Sequence, residues 1–152
     1  MFRGANYIKV DGKGRVALPT RLREAISQRS AGNLVVTVSH TYEPCLVLYP
    51  LDEWERAEEK VNALPSFKSQ HQELKRFFIG YATDVQLDKT GRVLLPPTLR
   101  EFAQVEKGIY LVGQGEKFEI WSQANWEKKM QAWVGHAPDP NDTSPELESL
   151  QL

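Results

Sequence analysis

The chain has 152 residues, of which 41% are hydrophobic and 26% are charged, and its formal net charge at pH 7 is −1. This composition is typical of a globular protein with a hydrophobic core, and no apolar run approaches the ~18 residues that a membrane helix needs. The opening MFRGANYIKV carries no signal-peptide pattern, and the single cysteine, Cys45, excludes an internal disulfide, so we expect a cytoplasmic protein.

A net charge near zero argues against nucleic-acid binding through overall electrostatic attraction, but the charges are unevenly distributed. Residues 1–30 are rich in lysine and arginine, and Asp11 and Glu24 are the only acids among them. Residues 139–152 contain only acidic charges. One face of the molecule can therefore still meet phosphate.

The first half of the chain predicts strands joined by short turns. YIKVD (7–11) alternates apolar and polar residues, and in the GKG turn Gly14 supplies the positive φ of a tight hairpin. RVALP resumes the strand until Pro19 ends it, and Thr20 is the expected N-cap of a helix of barely two turns. LVVTV (34–38) and CLVLY (45–49) then predict a hairpin.

Two helical segments follow in the middle of the chain. Asp52 and Glu55 resemble a capping box that opens a helix over residues 52–64, with an apolar stripe made of Trp54, Ala57, Val61 and Leu64. Pro65 ends this helix, and residues 71–82 predict another helix with one apolar face made of Leu74, Phe77, Phe78 and Tyr81.

The second half repeats the first. DGKGRVALPTRLRE (11–24) and DKTGRVLLPPTLRE (88–101) agree at nine of fourteen positions at an offset of 77 residues. TDVQLD, RVLLP after Gly91, IYLVG and FEIWS are the matching strands, and Trp126 corresponds to Trp54. We interpret this pattern as a tandem duplication, and since each copy alone has too little core, we expect the two copies to complete one barrel.

A final helix and a tail complete the predicted organisation. Trp126, Met130 and Trp133 share one helical face behind a Ser122 or Asn125 cap, where we expect core or subunit-interface packing. The predicted units are a first repeat with its helix (1–64), a connecting helix (65–82), a second repeat with its helix (83–134) and an acidic tail (135–152).

The D-x-x-G-R part of each phrase admits two interpretations. The aspartate ends one strand and the arginine begins the next, so their side chains can form a surface ion pair that only stabilises the turn. Alternatively, the carboxylate orients a guanidinium that contacts phosphate or the edge of a guanine. Spacing alone leaves the two interpretations about equally supported.

The duplicated phrase resembles the MraZ family of bacterial transcriptional regulators, which contain two tandem SpoVT-AbrB repeats. The opening MFRG and the segments LVLYPLDEWE, LKRFFIGYA and GQGEKFEIW agree with that family, and the match spans about residues 1–133. The resemblance implies an α+β, mainly β fold: a swapped-hairpin, double-split β-barrel of AbrB type, formed by the two repeats with flanking helices.

The resemblance also implies a function. MraZ proteins assemble into rings and repress their own division and cell-wall operon by binding G-rich direct repeats upstream of it. The family's DNA-contacting Asp-x-x-x-Arg elements correspond to Asp11 with Arg15 and to Asp88 with Arg92. Charge and turn position add Lys13, Lys89 and Arg3 as further candidate DNA contacts. We expect a cytoplasmic, nucleoid-associated homo-oligomer bound to double-stranded DNA, with no cofactor.

Two other functional classes are alternatives for this sequence. The same barrel used only for protein assembly, with structural Asp–Arg pairs, is the first alternative. A small enzyme is the second, but His40, His71 and His136 are scattered, and no serine or cysteine has a paired base in a recognisable arrangement. Arg21, Arg23 and Arg100 are expected to be solvated or paired with Glu24 and Glu101. We therefore expect no catalytic activity, metal site, membrane association or small-molecule substrate.

Overall fold

A computed structural model describes all of residues 1–152. The strands are β1 Ala5–Lys9, β2 Arg15–Ala17, β3 Asn33–Val38, β4 Leu46–Pro50, β5 Thr83–Gln86, β6 Arg92–Leu94, β7 Gly108–Gly113 and β8 Phe118–Ser122. The α-helices are α1 Thr20–Ser30, α2 Leu51–Asn62, α3 Ser69–Leu74, α4 Pro97–Phe102, α5 Gln123–Trp133 and α6 Pro145–Glu148. A π-helix, Lys75–Ile79, extends α3, and a short 3-10 turn, Pro140–Asp142, precedes α6.

The two sequence copies share one antiparallel sheet of six strands in the order β1-β7-β8-β4-β3-β5. Strands β1, β3 and β4 come from the first copy and β5, β7 and β8 from the second, so the copies are interleaved rather than side by side. Both predicted hairpins, β3 with β4 and β7 with β8, are confirmed. The fold is a mainly β member of the α+β class.

A separate two-stranded ribbon pairs β2 of the first copy with β6 of the second, in the register Arg15↔Leu94, Val16↔Val93 and Ala17↔Arg92. The local hairpin predicted from YIKVD and RVALP is therefore wrong in its pairing, because only the bridge Val10↔Val16 joins those segments. Pairing across the copies places Val16 and Val93 together in the core, where both are 0% exposed. Burial of these two valines favours the exchange over a local hairpin.

Reciprocal backbone hydrogen bonds fasten the two duplicated phrases to each other. The Leu18 N–H donates to the Gly91 carbonyl, and the Leu95 N–H donates to the Gly14 carbonyl, each at 3.0 Å. Leu18 and Leu95 are both fully buried in a core cluster to which both copies contribute. A smaller cluster on the other side of the sheet packs α2 and the π-helix against β3 and β4 through Val35, Val47, Tyr49, Trp54 and Phe78.

Several helix predictions need correction. Thr20 is the first helical residue rather than the N-cap, since the chain enters α1 from extended Pro19, and α1 has 11 residues instead of two turns. Asp52 likewise makes no cap hydrogen bond, because α2 begins one residue earlier and the Asp52 carboxylate accepts from Arg29 at 3.0 Å instead.

The predicted apolar faces are buried unevenly. On the 71–82 segment Phe78 is buried, but Phe77 and Tyr81 stack on each other and remain nearly half exposed. In α5 the Ser122 cap is confirmed, since its hydroxyl accepts the Asn125 N–H at 3.1 Å. Trp126 packs near Tyr110 and Trp121, whereas Trp133 is 80% exposed and does not join the core.

The centre of the sheet gives a direct test of this topology. Ile120 on β8 lies opposite Leu46 on one side and Leu111 on the other, and all three are 0% exposed. Ile120→Ala is expected to lower the free energy of unfolding by about 2–5 kcal/mol through lost burial and a residual cavity. Urea denaturation measures the change, with exposed Leu147→Ala as a control that should change it by less than about 0.5 kcal/mol. Equal effects of the two substitutions would contradict the assigned core.

Candidate nucleic-acid interface

Each duplicated phrase forms a tight turn built around its aspartate. The Asp11 Oδ1 accepts the backbone N–H groups of Lys13 at 2.9 Å and Arg15 at 2.8 Å. In the second copy the Asp88 Oδ1 accepts the N–H groups of Thr90 and Arg92, both at 2.9 Å. The short carboxylate side chain thereby satisfies the donors that a tight turn leaves unpaired, which explains why aspartate occupies both positions.

The other carboxylate oxygen of each aspartate holds the arginine side chain. Arg15 Nε lies 3.2 Å from Asp11 Oδ2, and Arg92 Nε lies 3.1 Å from Asp88 Oδ2. Each aspartate engages its arginine through Nε, and no Nη group makes a hydrogen bond to its own aspartate. The same aspartate therefore stabilises the turn and orients the arginine, so the two interpretations of the motif are compatible.

The fold brings the two Asp-x-x-x-Arg elements together. Arg92 Nη1 lies 3.6 Å from Asp11 Oδ2, which makes an ion pair between the copies. On the β2–β6 ribbon Arg15 and Arg92 stand at diagonal corners of the outward face, while Val16 and Val93 point into the core. Each arginine side chain is about one-third exposed. Both guanidinium groups thus reach the same surface of the molecule.

Two further arginines, which the sequence analysis assigned to solvent or to Glu24 and Glu101, support these turns instead. Arg100 Nε donates to the Leu95 carbonyl at 2.9 Å, and its guanidinium covers Gly14 of the opposite copy. Arg23 Nε donates to the Leu18 carbonyl at 2.5 Å and covers Gly91 in the same way. Arg23 and Arg100 occupy equivalent positions in the two duplicated phrases, and this equivalence was the sign in the sequence that they share a role. Only Arg21 is exposed, as expected.

The remaining candidate DNA contacts divide into two groups. Lys13 and Lys89 lie exposed on the two turns, next to the aspartates. Arg3 is also exposed, but the whole of β1 separates it from the Asp11 turn, and its backbone lies against Gly113 on β7. The structure therefore places four of the five basic candidates, Lys13, Arg15, Lys89 and Arg92, around the ribbon and leaves Arg3 apart from them.

Hydrogen bonding lowers the pKa of both turn carboxyls. For Asp11 and Asp88 the main cause is the backbone N–H of the arginine four residues later, and Asp88 has a pKa of about 2. Smaller contributions come from the turn residues and from the arginine charges. A carboxyl with a lowered folded pKa stabilises the fold at pH values above its unfolded pKa, and this contribution is lost as the pH falls through the folded value.

The single cysteine and the potential metal ligands do not form a second candidate site. The Cys45 thiol is fully buried, and burial raises its pKa to about 12, so it is an unreactive core group. No cluster of histidine, cysteine and carboxylate side chains has the arrangement of a metal site. No helix is both long enough and apolar enough to cross a membrane.

An apolar groove of about 520 Å³ lies between the β3–β4 loop, the π-helix and α4. Tyr42, Phe77, Tyr81 and Phe102 line it and are each more than 40% exposed. Its histidine, His40, has a pKa lowered by burial and by the charge of Lys117. Sequence reasoning did not predict this groove, since its walls come from three separated segments.

The glycines under the arginines provide a stability test. Gly14 has φ +86° and a Cβ there would overlap the Arg100 guanidinium, so Gly14→Ala is expected to lower the free energy of unfolding by more than about 1 kcal/mol. Gly12→Ala, two residues away with nothing within 4 Å, is the matched control and should leave stability unchanged or slightly higher. Thermal or urea denaturation measures the stability of both variants. Equal losses of stability in Gly14→Ala and Gly12→Ala would contradict the described turn.

The hydrogen bonds of the second turn predict the pH at which the Asp88 carboxyl titrates. The Asp88 carboxyl is expected to titrate at a pKa of about 2 rather than the ordinary 3.8, so the turn keeps its carboxylate hydrogen bonds until the pH falls through about 2. Carbon-detected NMR of the carboxyl group measures this directly. Arg92→Ala should retain much of the shift, because the backbone N–H of residue 92 is its main cause. Titration near 3.8 in the unmodified chain would refute the turn hydrogen bonds.

Comparison with known proteins agrees with the duplicated architecture. The family model described as "MraZ protein, putative antitoxin-like" matches residues 1–77 and 78–134. Proteins named transcriptional regulator MraZ are similar over 100% of this chain and of their own length: one from Coxiella burnetii is 46% identical over 153 residues, one from Pseudomonas fluorescens 45% over 152, and one from Halorhodospira halophila 44% over 153. The chain, with its two matched halves and its full-length relatives, belongs to the MraZ family.

Proposed function

We propose that this chain is a sequence-specific DNA-binding transcriptional repressor, which binds G-rich direct repeats upstream of its own division and cell-wall operon. The observation that carries the proposal is the pair of arginines on the outward face of the β2–β6 ribbon, each held by its own aspartate through Nε while its Nη groups make no hydrogen bond to that aspartate. The full-length relatives are named transcriptional regulators, which supports this function and not an enzymatic one.

The dimensions of the ribbon suit the major groove of DNA. Paired strands lie about 4.8 Å apart, and a two-stranded ribbon fits a major groove about 12 Å wide. A guanidinium whose end is free can donate two hydrogen bonds to the O6 and N7 atoms of guanine. Arg15 and Arg92 would contact bases in this way, with Asp11 and Asp88 fixing their orientation.

The lysines around the ribbon would contribute affinity without sequence preference. Lys13 and Lys89 are exposed on the turns, where they can contact the phosphates on either side of the groove. Arg3 would contact phosphate farther from the ribbon, in keeping with its position beyond β1. Replacing either lysine should weaken binding to all duplexes alike and reduce its salt dependence.

The interleaved sheet and the ribbon support an assignment to the double-split β-barrel with swapped hairpins. Strands β2 and β6 are the exchanged elements, and their reciprocal bonds to Gly91 and Gly14 close the arrangement around the shared core. We propose the unit boundaries 1–64, 65–82, 83–134 and 135–152 for the two repeats, the connecting helix and the tail. The proposed site of action is the nucleoid in the cytoplasm.

Self-assembly would compensate for the weak attraction of a single chain to DNA. The net charge of −1 provides little overall attraction, whereas a ring presents the same ribbon repeatedly to repeated boxes and gains through effective concentration. Exposed apolar side chains support a homo-oligomer: the groove carries Phe77 and Phe102, and α5 exposes Met130 and Trp133. Surfaces of this kind mark protein contacts.

Substitution of the ribbon arginines tests the proposal. A fluorescent duplex from the region upstream of the gene for this chain is compared with a scrambled duplex over a series of salt concentrations. The unmodified protein should prefer the upstream duplex. Arg15→Ala and Arg92→Ala should each lose roughly 5- to 150-fold of that preference, because a bidentate arginine–guanine contact contributes about 1–3 kcal/mol of discrimination.

Arg21→Ala is the matched control, since Arg21 is exposed on α1 and outside the ribbon. Oligomer size is measured for every variant, so that loss of assembly is not mistaken for loss of a base contact. Unchanged preference in both ribbon variants would assign the arginines to turn stabilisation alone. An assembled protein with no preference for the upstream duplex would favour the alternative function, an assembly module that does not bind DNA.

A further inference from the structure

The outward face of the β2–β6 ribbon contains two apolar residues between its arginines. The register pairs Arg15 with Leu94 and Ala17 with Arg92, while Val16 and Val93 pair behind them in the core. The four outward side chains therefore form a parallelogram with arginines at two diagonal corners. Leu94 is 49% exposed, so its side chain is available for contact on this face.

This parallelogram has an approximate two-fold axis that the sequence breaks. The 77-residue offset of the duplication relates Arg15 to Arg92 and Val16 to Val93, but it relates Ala17 to Leu94. The ion pairs of the two arginines also depart from this two-fold symmetry. Arg92 contacts both Asp88 and Asp11, whereas Arg15 contacts Asp11 alone within 4.0 Å. The less restrained arginine thus stands beside the larger apolar side chain.

We propose that Leu94 and Ala17 give the ribbon a direction on DNA, with Leu94 packing on the C5-methyl group of a thymine next to the base that Arg15 contacts. This inference rests on the proposed function, since it assumes that the outward face enters the major groove. The thymine methyl group is the apolar feature that the major groove presents, and leucine is an apolar side chain able to cover it. Ala17, beside Arg92, has three carbons fewer than a leucine and covers less of a methyl group at the equivalent position.

A direction has a consequence for the DNA that the chain binds. A two-fold symmetric ribbon would bind a DNA box equally well in either of two opposite orientations. The Leu94 side of this ribbon distinguishes the two orientations, so each chain binds its box in one orientation. Identical chains arranged around a ring then require boxes that all point the same way, and direct repeats meet that requirement.

Deoxyuridine substitution tests the contact, because it removes only the C5-methyl group of thymine. Each thymine of the upstream duplex is replaced singly, and binding is measured for the unmodified protein, Leu94→Ala and Ala17→Leu. For the unmodified protein, deoxyuridine at one thymine position, on the same side of each box, should weaken binding about four-fold. This is the effect expected from losing the burial of one methyl-sized group. Leu94→Ala should bind the unsubstituted duplex more weakly and should be insensitive at that position.

Ala17→Leu supplies the second variant. It should acquire sensitivity to deoxyuridine, again about four-fold, at a thymine placed at the two-fold-related position beside the base contacted by Arg92. Both residues are exposed, so circular dichroism should show unchanged folding for each variant.

The outcomes separate this inference from the function on which it rests. If the protein prefers the upstream duplex but no deoxyuridine position matters, or if Leu94→Ala keeps the same sensitivity, the directional contact is overturned and the repressor stands. If Ala17→Leu does not become sensitive to deoxyuridine at the related position, the directional contact is also overturned. If the unmodified protein shows no preference for the upstream duplex, both are overturned together.

Discussion

Pairing of β2 with β6 across the two sequence copies is the interaction on which the rest of the structure depends. It buries Val16 and Val93 together, and the reciprocal bonds of Leu18 to Gly91 and of Leu95 to Gly14 fasten each turn to the opposite strand. Because each copy supplies half of the ribbon and half of the core, neither can close its own hydrophobic face. The same exchange brings Arg15 and Arg92, 77 residues apart, to one surface.

The charged groups of the candidate interface have partners within the protein that hold them in place. Each aspartate accepts backbone N–H groups with one oxygen and the arginine Nε with the other, so it is held ionised and in place. Arg23 and Arg100 cover the glycines of the opposite turns and hold them against the core. A preorganised arginine loses less conformational entropy when it binds a planar acceptor, which favours selective recognition over general attraction.

The duplicated phrase is similar enough to build a pseudo-symmetric ribbon and different enough to leave it asymmetric. Positions 15 and 92 are both arginine, whereas positions 17 and 94 differ in size, and Arg92 alone bridges both aspartates. A duplication inside one chain permits such divergence, which two identical subunits related by a true two-fold axis cannot show.

Local patterns in the sequence determined the strands, the glycine turns, the Ser122 cap and the Asp-x-x-x-Arg pairs, because each depends on residues a few positions apart. The duplication also indicated that the two halves share a core. Tertiary structure alone decided the partner of β2, the roles of Arg23 and Arg100, the exposure of Phe77 and Trp133, and the position of Leu94 beside Arg15. The partner of β2 depends on which distant segment buries a strand of three residues better, and the other features depend on which distant segments lie beside these side chains. Neither can be deduced from a local periodicity, because the contacts join residues far apart in the sequence.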